Sequence, residues 1–348
     1  MEEPNEGRIK EVLKSKDARE RYREHIRRKV LFITACTIAL MLVFLLSLMI
    51  GPSDISLSQI FDPVVNHQAH TIIVHIRLPR ALAAIVGGAG LSIAGVVMQS
   101  VLRNDLASPY TLGISHAASF GAALSIAILG PELYFTPVAA FVSSLAAVFV
   151  MIALAKYKGA TAETMVLTGV ALGSLYTGGL TAIKYFSTDE ELAAITFWQF
   201  GDLSRASWQG IAIMFLCFLF ILLFFILNSW NYNAMEYGDD VAKSLGVNAE
   251  RIRISGMLFS SFITAVIVSF VGIIGFIGLV VPHIVRRVIG EDALYLLPAS
   301  CIAGALLLLS ADTASRTLFS PIILPVGILT SFLGAPLFIY LILTGRRR

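Results

Sequence analysis

The sequence predicts an all-α polytopic membrane protein with ten transmembrane helices, and three observations predict it. Charge is scarce and clustered: 14% of the 348 residues are charged and 57% are hydrophobic, against roughly 25% charged in a soluble domain. Helix breakers punctuate nearly pure apolar sequence, as in Gly272-Ile-Ile-Gly-Phe-Ile-Gly-Leu-Val-Val-Pro-His283. A soluble core would not tolerate them there, whereas in a membrane neighbouring helices re-satisfy the freed backbone groups. Basic residues also divide unevenly between alternate connections. With ten spans and both termini inside, twenty-one of the 26 Lys and Arg residues fall on the inner side, as the positive-inside rule requires.

Residues 1–29 read as a cytoplasmic polar tail, and 30–348 as one transmembrane domain. The tail places Ile9, Val12, Leu13, Tyr22 and Ile26 at loosely helical spacing among dense charge. It is either an amphipathic helix on an anionic leaflet or a polar extension that only sets topology. No small-residue cleavage pattern follows the first apolar run, so a secretory signal peptide is not expected. A spanning helix needs about 20 apolar residues. Candidate spans are 31–50, 80–102, 112–130, 135–155, 164–185, 208–228, 253–271, 274–289, 295–314 and 323–344. The longest outer connection is 51–79, and the longest inner one after the tail is the charged stretch 229–252. Cys36, Cys217 and Cys301 each lie alone in an apolar run, which suits helix packing and gives no metal or disulfide spacing.

The second span carries Ala84, Gly88, Ser92, Gly95 and Gln99 at steps of three and four. Such a stripe lies on one helix face and suits close helix packing in a membrane. Asn104-Asp-Leu-Ala-Ser-Pro109 follows, then Leu112-Gly113 and His116. The fifth span opens with Thr161-Ala-Glu163-Thr164 and carries Gly169, Gly173 and Ser174. The inner loop contains Asp239-Asp240-Val-Ala242-Lys-Ser-Leu245-Gly246-Val247. Arg77-Leu-Pro-Arg80 and Arg316 stand at predicted outer ends, where they are either exposed carboxylate binders or interfacial anchors paired with Asp312. Trp198 and Trp208 read as interfacial tryptophans.

This ordered series resembles the permeases of ABC importers for iron-siderophores, haem and vitamin B12, over about residues 50–348. The family pattern Asn-Pro-Leu-Ala-x-Pro is met except at Asp105, where proline is usual, and His116 stands where a small or polar residue is common. The resemblance implies a type II ABC importer permease fold and a cell-membrane homodimer enclosing a central pathway. It implies two cytoplasmic ABC ATPase subunits, using ATP and Mg2+, and one extracytoplasmic substrate-binding protein. It assigns binding-protein docking to Arg77, Arg80 and Arg316. It assigns ATPase coupling to Asp239, Asp240, Ala242, Leu245, Gly246 and Val247. Pathway and gate roles fall to Thr161, Glu163, Thr164, Gly169, Gly173, Ser174 and His116. The transported species it implies is a metal chelate, an iron-siderophore or haem, with cobalamin and molybdate or tungstate as alternatives.

Other classes fit less well. The chain has no Gly-Lys pair and hence no P-loop, so no ATP hydrolysis and no cofactor are expected in it. An ion-coupled secondary transporter would place acids at mid-membrane, and Asp312 near a helix end is the one candidate. A membrane enzyme would need a nucleophile–base pair or a metal cluster, and no His-x-x-x-His or Glu-x-x-His spacing appears. Nucleic acid is not expected as a partner, because the basic residues cluster at membrane edges.

Overall fold

The computed structural model describes residues 5–51, 67–130, 135–318 and 322–344, and every regular element among them is helical. Helix α1 (Asn5–Met49) joins the polar tail and the first span in one unbroken helix. Then come α2 (His67–Ile72), a π-helical turn (Ile73–Arg77) and α3 (Leu78–Leu102). Helices α4 (Ile114–Leu129), α5 (Phe135–Tyr157), α6 (Ala162–Phe186) and α7 (Asp189–Gln199) follow. The remainder is α8 (Trp208–Leu227), α9 (Ser229–Glu236), α10 (Asp239–Ser244), α11 (Ala249–Val271), α12 (Ile277–Ile289), α13 (Ala293–Thr317) and α14 (Val326–Thr344). Among the described residues, seven helices are long and apolar enough to cross a membrane: those over 26–49, 70–102, 135–157, 162–186, 208–227, 249–271 and 293–317. The predicted third, eighth and tenth spans are the shorter helices α4, α12 and α14.

The second span begins about ten residues earlier than charge and proline suggested. The helix runs continuously from His70 to Leu102, and the π-helical turn over Ile73–Arg77, with Leu78 N donating to Ile73 O, stands directly before Pro79, a local widening of the kind that accompanies a proline inside a helix. Residues 52–66 of the predicted outer loop lie outside the described residues.

Helix α3 is the core of the molecule. Nearly all of it is buried, packed by α13, α11, α12 and α8. The small-residue stripe explains how. A Cβ on Gly88 would strike the Gly304 carbonyl of α13, and a Cβ on Gly304 would strike that of Gly88. Two backbones cross in contact there, which only glycine on both sides permits. Around this centre, α1, α5, α6 and α8 turn apolar side chains outward, such as Leu42, Phe149, Leu167 and Leu216. A buried polar-poor centre with an apolar exterior is the arrangement a bilayer demands.

Candidate functional site

Polar side chains gather at the two ends of the bundle. At the end bearing α7, Asp312 is fully buried between two guanidinium groups. Arg80 Nε donates to its Oδ1 at 2.7 Å, and Arg316 Nε to its Oδ2 at 3.1 Å. Arg80 also stands 3.9 Å from Asp202, just beyond α7. Arg77 Nη1 donates to the carbonyls of Leu48 and Met49 at 2.7 and 2.6 Å. Arg316 donates to Ile50 O at 3.1 Å and Ser47 O at 3.2 Å. These four carbonyls end α1, where a helix has no internal donors left and its dipole favours cations.

The expectation of exposed docking arginines is therefore corrected for all three. Arg77, Arg80 and Arg316 are each no more than 5% exposed. The pairing with Asp312 is what the structure holds for Arg80 and Arg316, and Arg77 closes the end of α1.

The opposite end carries the charged stretch to which the resemblance assigned coupling. Helices α9 and α10 form a small cluster of their own, in which Met235, Ala242 and Val247 are buried. Asp239 and Asp240 open α10, and Asp240 lies 3.9 Å from Lys243 on its surface. Leu245 projects outward at 52% exposure. Gly246 has φ +81° with open space about it, so the chain reverses there and buries Val247. Arg253 ties this unit to the bundle. Its guanidinium reaches Asp239 at 2.5 Å, Ala160 O at 2.9 Å and Val101 O at 3.1 Å. Sequence reasoning counted Arg253 only as an inner basic residue and missed this role. Its position on an otherwise apolar helix face was the available signal. Further links run from Ser100 to Glu236 at 3.1 Å and from Asn233 to Asp292 at 3.1 Å. Asp105 pairs with Arg286 at 3.1 Å.

The predicted gate residues divide between two faces. Thr161 caps α6, accepting from Thr164 N at 3.2 Å with the two hydroxyls 2.8 Å apart. Glu163 is exposed in the first turn. Gly169 and Gly173 are buried within the subunit, against Leu112 and Gly113. Gly113 itself has φ +81° and starts α4. Gly169 and Gly173, among the residues the resemblance placed on the pathway, seat the turn into α4 on α6. Ser174 is on the exposed face with Leu167 and Val170. His116 is half-buried beside Gly173, with its ring centroid 4.9 Å from that of Tyr110. Of the two tryptophans, Trp208 is 45% exposed as an interfacial residue would be, but Trp198 is buried at 6%.

At the end bearing α7, α11 and α12 are separated by the non-helical stretch 272–276. Its backbone is covered by protein: Asp202 N donates to Val271 O at 2.8 Å, and Gly201 and Gly327 abut Ile273 O. Irregular backbone at membrane depth is tolerated only when enclosed in this way.

This combination defines an integral membrane permease with a docked polar segment at one end. Residues 39–344 match the FecCD transport family, and the chain belongs to it. An ABC transporter permease of Methanocaldococcus jannaschii is 45% identical over 347 residues, covering 95% of this chain and 99% of the relative. The hemin transport system permease of Yersinia pestis is 36% identical, covering 89% and 97%. A solved inward-facing structure described as a metal-chelate type ABC transporter overlays with TM-score 0.81 at 32% identity, covering 90% and 99%.

Proposed function

We propose that this chain is the membrane subunit of an ATP-driven importer for a metal chelate, an iron-siderophore or haem. The observation that carries the reading is the family match across 39–344. The hemin permease and the metal-chelate transporter support the substrate class. In this reading two copies form the pathway in the cell membrane. A substrate-binding protein delivers cargo outside, and two ABC ATPases, loaded with ATP and Mg2+, dock inside on α9 and α10. The inner location of both termini rests on the basic asymmetry of the connections. Exposed Leu245 and the rigid α9–α10 unit suit such docking. The exposed α6 face with Ser174 suits the pathway, with Glu163 and Thr164 at its inner mouth.

Uptake of labelled ferric siderophore, hemin and cobalamin into a strain lacking this gene, with and without the restored gene, tests the proposal. Iron-chelate uptake should depend on the gene and stop when ATP is depleted. Restored uptake of cobalamin alone would move the substrate. Uptake that survives ATP depletion but collapses with an ionophore would point to a secondary transporter instead.

A further inference from the structure

A cavity lies at the end bearing α7, between α5, α7, the N-terminus of α8 and α11, and none of Arg80, Asp312 and Arg316 lines it. It encloses about 790 Å³, within the usual range for a small-molecule pocket. Its walls are apolar, among them Phe141, Phe197, Trp198, Ile213 and Phe262. One cation reaches it. Arg205 lines the cavity, and its Nη1 is buried with no hydrogen-bond partner. The buried guanidinium groups of Arg80, Arg253 and Arg316 each hold a carboxylate, although Arg80 Nη2, like Arg205 Nη1, has no hydrogen-bond partner. The Asp202 carboxylate accepts from the N–H and the hydroxyl of Ser204 and stands 3.9 Å from Arg80. Burial pushes the Arg205 guanidinium below its ordinary value, and the charge of Asp202 partly offsets this. A buried donor without an acceptor is costly, so an anionic oxygen is the missing complement.

The mouth of the cavity identifies the ligand. Phe197 and Ile213 are exposed there, and the adjoining faces of α5 and α8 are exposed and apolar. Helix α8 has a mean hydropathy of 3.2 over its best window. Such faces meet acyl chains in a bilayer, and Trp208 at the start of α8 marks the headgroup level. We infer that this cavity is a site for one anionic phospholipid, its chain among the aromatic walls and its phosphate on Arg205. The inference is independent of the transported substrate.

The chain has three tryptophans, so Trp208→Phe with Trp230→Phe leaves Trp198 as the reporter in the cavity wall. The purified full-length double variant is placed in vesicles containing acyl-brominated phosphatidylglycerol or acyl-brominated phosphatidylcholine. Phosphatidylglycerol should quench Trp198 at a roughly fivefold lower mole fraction, the effect of one basic residue on an anionic lipid. Arg205→Gln should abolish the difference. Should that variant not purify, Gln209→Glu, at an exposed lining position, should abolish it too. Inorganic phosphate should leave the quenching unchanged. Equal quenching by the two lipids, a preference that survives both substitutions, or displacement by phosphate would overturn the site. So would absence of quenching by either lipid, which is the result if a second copy covers this face.

Discussion

Asp312 faces Arg80 and Arg316 with one carboxylate oxygen each, and none of the three meets solvent to any useful extent. A buried pair gives little net stability, but removing one partner leaves an uncompensated charge and costs about 3–5 kcal/mol. Asp312→Ala should therefore lower the melting temperature of the detergent-purified permease sharply, while Asp312→Asn, which keeps acceptor capacity, should lower it less. Thermal unfolding followed by size-exclusion chromatography reads both. A normal melting temperature for Asp312→Ala would mean the guanidinium groups find other partners, and the network would lose its structural role. A docking role for these arginines would require their release from Asp312 and from the end of α1. Pairing with Asp312 was one of the two readings the sequence offered, but the burial of all three arginines was not legible. Arg77-Leu-Pro-Arg80 looked like a loop boundary, and only the continuous helix from His70 onward moves the charges inside.

Among the elements, the α3–α13 crossing at Gly88 and Gly304 is, with Gly95 against Gly278 of α12, one of the closest backbone approaches and is sensitive to mutation. Gly88 and Gly304 each abut the other's backbone, so a methyl cannot be absorbed by a side-chain rotation. Gly304→Ala should cost about 1–3 kcal/mol or more, as overpacking does. Gly178 on α6 is the control. It has open space around its Cβ position, and Ala there should stabilise the helix by up to about 1 kcal/mol. Parallel thermal melts of the two variants decide the matter, and equal melting would remove the crossing from the account of the fold. The Ala84–Gln99 stripe was readable because small residues at steps of three and four have one physical use in a membrane. Facing on α6 was not readable. Lipid and helix neighbours are alike in polarity, so Gly169 and Gly173 carried no mark of turning toward α4, nor Ser174 of turning outward. The burial of Trp198 was hidden likewise, since α7 was not foreseen as a helix.

Across the whole molecule, the segment proposed for coupling matters because Arg253 joins it to the bundle. Arg253 holds Asp239 of α10, the Ala160 carbonyl below α6 and the Val101 carbonyl at the end of α3 in one fork. A push on α10 therefore reaches the central helix and the base of the helix proposed to line the pathway, without a flexible joint between them. The surface available to receive that push is Leu245, more than half exposed beside the reversal at Gly246. Leu245→Glu should leave the melting temperature within experimental scatter, because it removes no buried contact. If Leu245 anchors the ATPase, loss of a central apolar contact costs about 2 kcal/mol or more, roughly a thirtyfold weaker complex. Substrate-stimulated ATP hydrolysis in reconstituted vesicles should fall accordingly. Ala242→Phe separates docking from folding. Ala242 is wholly buried against its cluster, so its enlargement should lower both stability and coupling. A Leu245→Glu permease that melts normally and still stimulates hydrolysis fully would show that the ATPase seats elsewhere on this end of the bundle, whatever cargo the importer carries.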